Sequence, residues 1–91
     1  MMGEAMLDAG RVVKSIAGHD KDRFYAIISV EGDRVTIADG KARKLAAPKA
    51  KNVLHVRPTG TTLDLNIVTT DKKLREALGP WNRAAGQEGG N

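Results

Sequence analysis

The chain has 91 residues, enough for one domain with one small core. Hydrophobic residues make up 41% and charged residues 29%, a globular balance that excludes a disordered chain, and 15 Lys and Arg against 11 Asp and Glu leave a net charge of +4. There is no cysteine, which excludes disulfides and thiolate metal sites, and no apolar run nears the ~18–20 residues of a membrane span.

Residues 1–9 read as a flexible leader without the basic and apolar regions of a signal peptide. Arg11 to Ile16 is a short strand, closed by Ala17-Gly18 and followed by the polar loop His19-Asp20-Lys21-Asp22. Arg23 to Glu31 alternates with period two: Phe24, Ala26, Ile28 and Val30 share one face, Tyr25 and Ile27 the other. Gly32-Asp33 supplies a two-residue turn, and Val35 and Ile37 continue the alternation to Asp39-Gly40, so 23–39 is a β-hairpin.

Residues 41–52 have no clean period and contain Pro48, which predicts an extended, exposed connection. Strands are predicted at 53–57 and 62–68, separated by the turn Pro58-Thr59-Gly60. The period then changes. Thr70 or Asp71 caps a short helix carrying Leu74, Ala77 and Leu78, and Gly79-Pro80 ends it. Trp81 is placed as an apolar lid, and 82–91 as a flexible tail.

Five short strands and one terminal helix predict an all-β fold over 10–81, a small antiparallel barrel that removes the open edges of a flat sheet. Its expected interior is Val12, Ile16, Phe24, Ala26, Ile28, Val30, Val35, Ile37, Leu54, Val56, Leu63, Leu65 and Ile67, with the choice between Val12 and Val13 left open by a one-residue slip.

The charge is uneven. From Lys41 to Leu63 there is no acidic residue, while Lys41, Arg43, Lys44, Lys49, Lys51 and Arg57 fall in that window. Such a run can be a solvated surface. It can also be a polyanion site, because each cation docked on a phosphate releases condensed counterions. Lys14, Lys21 and Arg23 form a second group around the first loop, blunted by Asp20 and Asp22.

Read in order, Gly10-Arg11-Val12-Val13, then Ala17 to Arg23 and the strand to Val30, then Ala38-Asp39-Gly40, Arg43-Lys44-Leu45 and Pro48-Lys49-Ala50-Lys51-Asn52, the chain resembles the KOW-domain RNA-binding proteins, bacterial relatives of KOW-type proteins of the large ribosomal subunit. The resemblance covers about three quarters of the chain and extends to Thr70-Asp71, Leu74-Arg75 and Leu78. It implies an SH3-like barrel that binds structured RNA, ribosomal RNA foremost, in a ribosome-associated or assembly role, with the 18–23 loop and the basic stretch after Gly40 facing the RNA. Asp22 stands where the family pattern has glycine. A carboxylate there repels phosphate, which moves the weight to 41–57.

The phosphate-contact candidates are therefore Lys41, Arg43, Lys44, Lys49, Lys51 and Arg57, with Lys14, Lys21 and Arg23 secondary. Catalysis finds no support: His19 and His55 are far apart in sequence, and Ser15 and Ser29 lie in strands without the glycines of a nucleophile elbow. With Phe24, Tyr25 and Trp81 as its whole aromatic set, the chain lacks a platform for stacking several bases, so backbone and shape recognition is expected. The expected state is a cytoplasmic monomer without cofactor, metal or membrane partner, bound to RNA and in contact with ribosomal proteins. The competing reading is an SH3-like protein-interaction module.

Overall fold

The hairpin is where sequence pattern and structure agree best. In the computed structural model, which describes residues 7–89 with side chains through Ala84, β2 (Phe24–Glu31) and β3 (Arg34–Ala38) pair antiparallel across Gly32-Asp33. β1 (Arg11–Ser15) pairs with β2, β4 (Lys49–Asn52) with β3, and β5 (Val56–Thr62) with β1. The result is one five-stranded antiparallel sheet in the order β4-β3-β2-β1-β5, followed by the C-terminal helix α1 (Asp71–Gly89). Among the described residues no helix is long and apolar enough to cross a membrane.

β4 and β5 are consecutive in the chain but lie at opposite edges, joined by a single 3-10 turn, Val53–His55. The path from Asn52 to Val56 reaches at most about 14 Å. Across a flat five-stranded sheet the two edges stand about 19 Å apart. The sheet therefore curls, and its two faces become unlike.

One face packs Val13, Tyr25, Ile27, Val35, Ile37 and Val56 together. The other packs Val12, Ala26 and Ala38 beneath Leu74 and Leu78 of α1, with Phe24, Ile28, Leu45, Leu63, Val68 and Trp81 around them. Both valines of the Val12-Val13 pair are thus buried, on opposite faces. Phe24, Ala26 and Ile28, expected inside, lie on the helix-covered face, while Tyr25 and Ile27 take the enclosed one. The cause is twofold. α1 gives the outer face its own apolar cover, and a register shift between Ile27 and Ser29 moves the hairpin by one residue, so that Ile27 opposes Ile37 and Val30 opposes Val35. Val30 (41% exposed), Leu54 (77%) and Ile67 (65%) lie outside the core they were assigned to.

Three segments depart from expectation. Residues 49–52 form an edge strand instead of an exposed connection; its lysines suit an edge that must not recruit another chain. Pro58 and Gly60 lie inside β5, where an outer edge tolerates a missing N–H. The predicted strand 62–68 is instead a turn beyond Thr62. The Asp64 carboxylate accepts from the Asn66 amide at 2.9 Å and the Asp64 carbonyl from Ile67 and Val68, so local bonding overrides the alternation.

The helix starts where expected, with the Thr70 hydroxyl accepting from the Lys73 amide at 3.1 Å. It does not stop at Gly79-Pro80 but runs to Gly89, so the tail expected at 82–91 is helical as far as it is described. An interior proline costs a helix about 3 kcal/mol. Contacts just beyond it offset that cost. The Trp81 ring lies 5.3 Å from Phe24, and the Asn82 side chain accepts from the Phe24 amide at 2.8 Å and donates to the Phe24 carbonyl at 3.2 Å. Most of the expected leader, residues 1–6, lies outside the described residues; Leu7 packs against the enclosed core and Asp8 pairs with Arg11 at 2.9 Å.

Candidate functional site

The loop between β1 and β2 is built around Asp20. Its carboxylate accepts from the Ser15 hydroxyl at 2.9 Å and from the Lys51 ammonium at 2.5 Å, and Lys49 approaches its second oxygen at 3.4 Å. Lys49 and Lys51, two residues apart on β4, project to one face and so both reach it. Lys51 also donates to the Ala17 carbonyl at 2.8 Å. Burial alone would raise the Asp20 pKa; the hydrogen bonds from Lys51 and Ser15, with the charges of Lys51 and Lys49, outweigh it and hold the carboxyl at about 2. Lys51 is 7% exposed, and its charge is matched at short range. It is not the exposed phosphate ligand its place in a basic run suggests.

At the loop tip Asp22 adopts a left-handed backbone, φ +73°, the conformation that glycine holds most easily. Its carboxylate lies 3.8 Å from Lys14, whose ammonium also stands 6.0 Å from the Phe24 ring centroid. Lys14 opposes Arg57 in the β1–β5 ladder, so those two cations form a pair of their own.

The other cations gather around Arg23. One cleft, bounded by His19, Asp20, Tyr25, Arg43 and Lys49, has Arg23 as one wall. A second, of about 320 Å³, is also lined by Arg23, together with Lys41, Arg75, Asn82 and Arg83 and with Asp39. A third shares Lys49 with the first and adds Arg34, Asn52 and His55. Arg23 thus lines both the first and the second cleft, and Lys49 both the first and the third.

The ion pairs among the described residues are Arg11–Asp8, Lys14–Asp22, Lys49–Asp20 and Lys51–Asp20. None involves Arg23, Lys41, Arg43, Arg75 or Arg83. Asp39 is buried, and one of its oxygens accepts from the Lys41 and Arg43 amides at 2.9 Å each, fixing the backbone that presents those two side chains. Tyr25, 1% exposed, offers no face to a base; burial, then the Asp20 and Asp39 carboxylates, push its hydroxyl above the ordinary range.

Of the sequence candidates, Arg23, Lys41, Arg43 and Lys49 therefore come together. Lys44 and Lys21 are exposed and line none of these three clefts, and Lys14 and Arg57 belong to the β1–β5 ladder. The sequence reading missed Arg34, Arg75 and Arg83. The last two were legible in principle: Arg75, Gly79 and Arg83 recur every four residues and so share one helical face, a pattern hidden by ending the helix at Pro80. Among the described residues no three His, Asp or Glu side chains converge as a metal site requires. No family model matches the chain.

Proposed function

We propose that the protein is an SH3-like domain of KOW type that binds structured RNA, ribosomal RNA foremost, through the phosphate backbone, as a cytoplasmic ribosome-associated or assembly factor. The observation that carries this reading is the group of cations around Arg23 that form no ion pair among the described residues and line two clefts sharing that arginine. The order of sequence motifs and the single 3-10 turn between opposite edge strands support the SH3-like assignment. Recognition rests on shape and charge, because the aromatic side chains are committed to packing: Tyr25 to the enclosed core, Phe24 and Trp81 to each other.

The test is a salt titration of binding to a structured ribosomal RNA fragment. Replacing Arg23 and Arg43 together by Gln weakens binding and flattens the dependence of log K on log salt by roughly 1.4–1.8, the loss of two phosphate contacts. Unaltered affinity and slope in that variant defeat the reading. A docking module for a ribosomal or transcription protein is the second reading, favoured by Leu54, which stands 77% exposed beside the cationic edge. Binding through Leu54 barely responds to salt and is lost in Leu54→Ser.

A further inference from the structure

The cleft against α1 is a more finished piece of structure than the exposed lysine run. Its walls are tied at three points. The Arg75 guanidinium donates to the Gly40 carbonyl at 2.6 Å, holding the first half of the helix on the turn after β3. Gly40 itself has φ +79°, and any Cβ there would strike the Asp71 carbonyl, so the helix start and this turn are in backbone contact. The second half is fixed by the two hydrogen bonds between Asn82 and the Phe24 backbone, next to Arg23.

Between these ties, Arg23, Lys41, Arg75 and Arg83 face one carboxylate among the described residues, Asp39. Four cations are more than its neutralisation needs. One Asp39 oxygen is occupied by backbone amides; the other is buried with no hydrogen-bond partner among the described residues, so none of the four cations bonds to it. The set is therefore not an internal ion-pair network.

Gly79 supplies the independent observation. A Cβ at this position would stand 2.8 Å from the Arg83 guanidinium, so Arg83 lies back along the helix over Gly79, beside the cleft that both line, and its flexible end would need only a small shift to admit a side chain. Glycine in a helix interior is otherwise unfavourable. Its presence one turn before Arg83 leaves room for the guanidinium beside the cleft.

Resting on the RNA-binding reading, we infer that this cleft seats one phosphate of the RNA backbone, with Arg83 and Lys41 as direct ligands, Arg23 joining it to the neighbouring cleft, and α1 thereby part of the RNA interface. A phosphodiester brings the negative charge that four convergent cations lack. Arginine presents parallel N–H donors to it, as a flexible surface lysine does not.

The experiment uses the full chain and the same ribosomal RNA fragment. Arg83→Gln and Lys41→Gln each weaken binding several-fold and each lower the salt slope by roughly 0.7–0.9, with the melting temperature unchanged. Gly79→Ala raises the melting temperature, because alanine is the better helix former, and displaces the flexible end of Arg83 only slightly, so it weakens RNA binding less than Arg83→Gln does. If all three variants bind RNA as the wild type does while Arg23→Gln with Arg43→Gln weakens it, the inference is overturned and the RNA reading stands. If the wild type binds no RNA at low salt, both fall. Saturating uptake of inorganic phosphate alone by the wild type, with RNA affinity unaltered in the variants, overturns it in favour of a small phosphorylated ligand.

Discussion

Lys51 and Arg43 lie eight residues apart in the same carboxylate-free stretch, and the fold gives them opposite roles. Lys51 is buried against Asp20, Ser15 and the Ala17 carbonyl, and it holds the first loop on the edge strand. Arg43 is exposed on a turn whose backbone Asp39 fixes, and its guanidinium has no carboxylate partner among the described residues. Charge density along a chain therefore says little about which cations are available. A single aspartate contributed from another loop decides it: Asp20 binds Lys51 and removes it from solvent, while Arg43, which lines a cleft with Asp20 but forms no ion pair among the described residues, stays open.

The largest effect expected from this contrast is on stability. Asp20→Asn leaves the Lys51 ammonium buried without its counter-charge and lowers the unfolding free energy by about 3–5 kcal/mol, whereas Arg43→Gln stays within about 0.5 kcal/mol. Urea denaturation of the two variants checks this, and equal values erase the distinction.

Acid tests the same pair more gently. The Asp20 carboxyl has a folded pKa of about 2 against an ordinary 3.8. The unfolded chain thus takes up the proton first, and the stabilisation is complete above the unfolded value and disappears as the pH falls through the folded one. The loss is on the order of 2 kcal/mol between about pH 5 and pH 1. Following the Asp20 carboxyl carbon by NMR gives a midpoint near 2 if the ion pair holds; a midpoint at the ordinary value means that Lys51 is free in solution.

The smallest expected change concerns the loop tip. Asp22→Gly relieves the left-handed backbone and sacrifices only the half-exposed contact to Lys14, for a net gain of up to about 1 kcal/mol. It also removes a negative charge beside the cationic surface, so RNA affinity rises. A variant that is more stable but binds RNA no better places this loop away from the RNA.

The β2–β3 hairpin was legible because period-two alternation and Gly32-Asp33 are both local signals. Its facing was not, because the shift after Ile27 leaves no mark on composition and because a distant helix supplies an apolar cover for Ala26 and Ile28. β4 was hidden because an edge strand rich in lysine has the composition of a loop. The second half of α1 was hidden because its stability comes from Trp81 and Asn82 reaching Phe24, contacts that span more than fifty residues and outweigh the proline. For the site, the richness in cations around 41–57 was visible. The grouping around Arg23 needed the fold, since Arg23, Lys49 and the α1 pair Arg75 and Arg83 come from three separate segments.

The first strand pairs with the last, Arg11 opposite Thr62. During synthesis at about 5–20 residues per second, roughly 3–10 s separate the appearance of these two partners. For that interval one side of β1 offers bare amides and carbonyls to whatever the emerging polypeptide meets, and Val12 waits longer still for Leu74 and Leu78. The order of translation thus makes the N-terminal strand the last to be protected, and the hazard of misassembly falls on it.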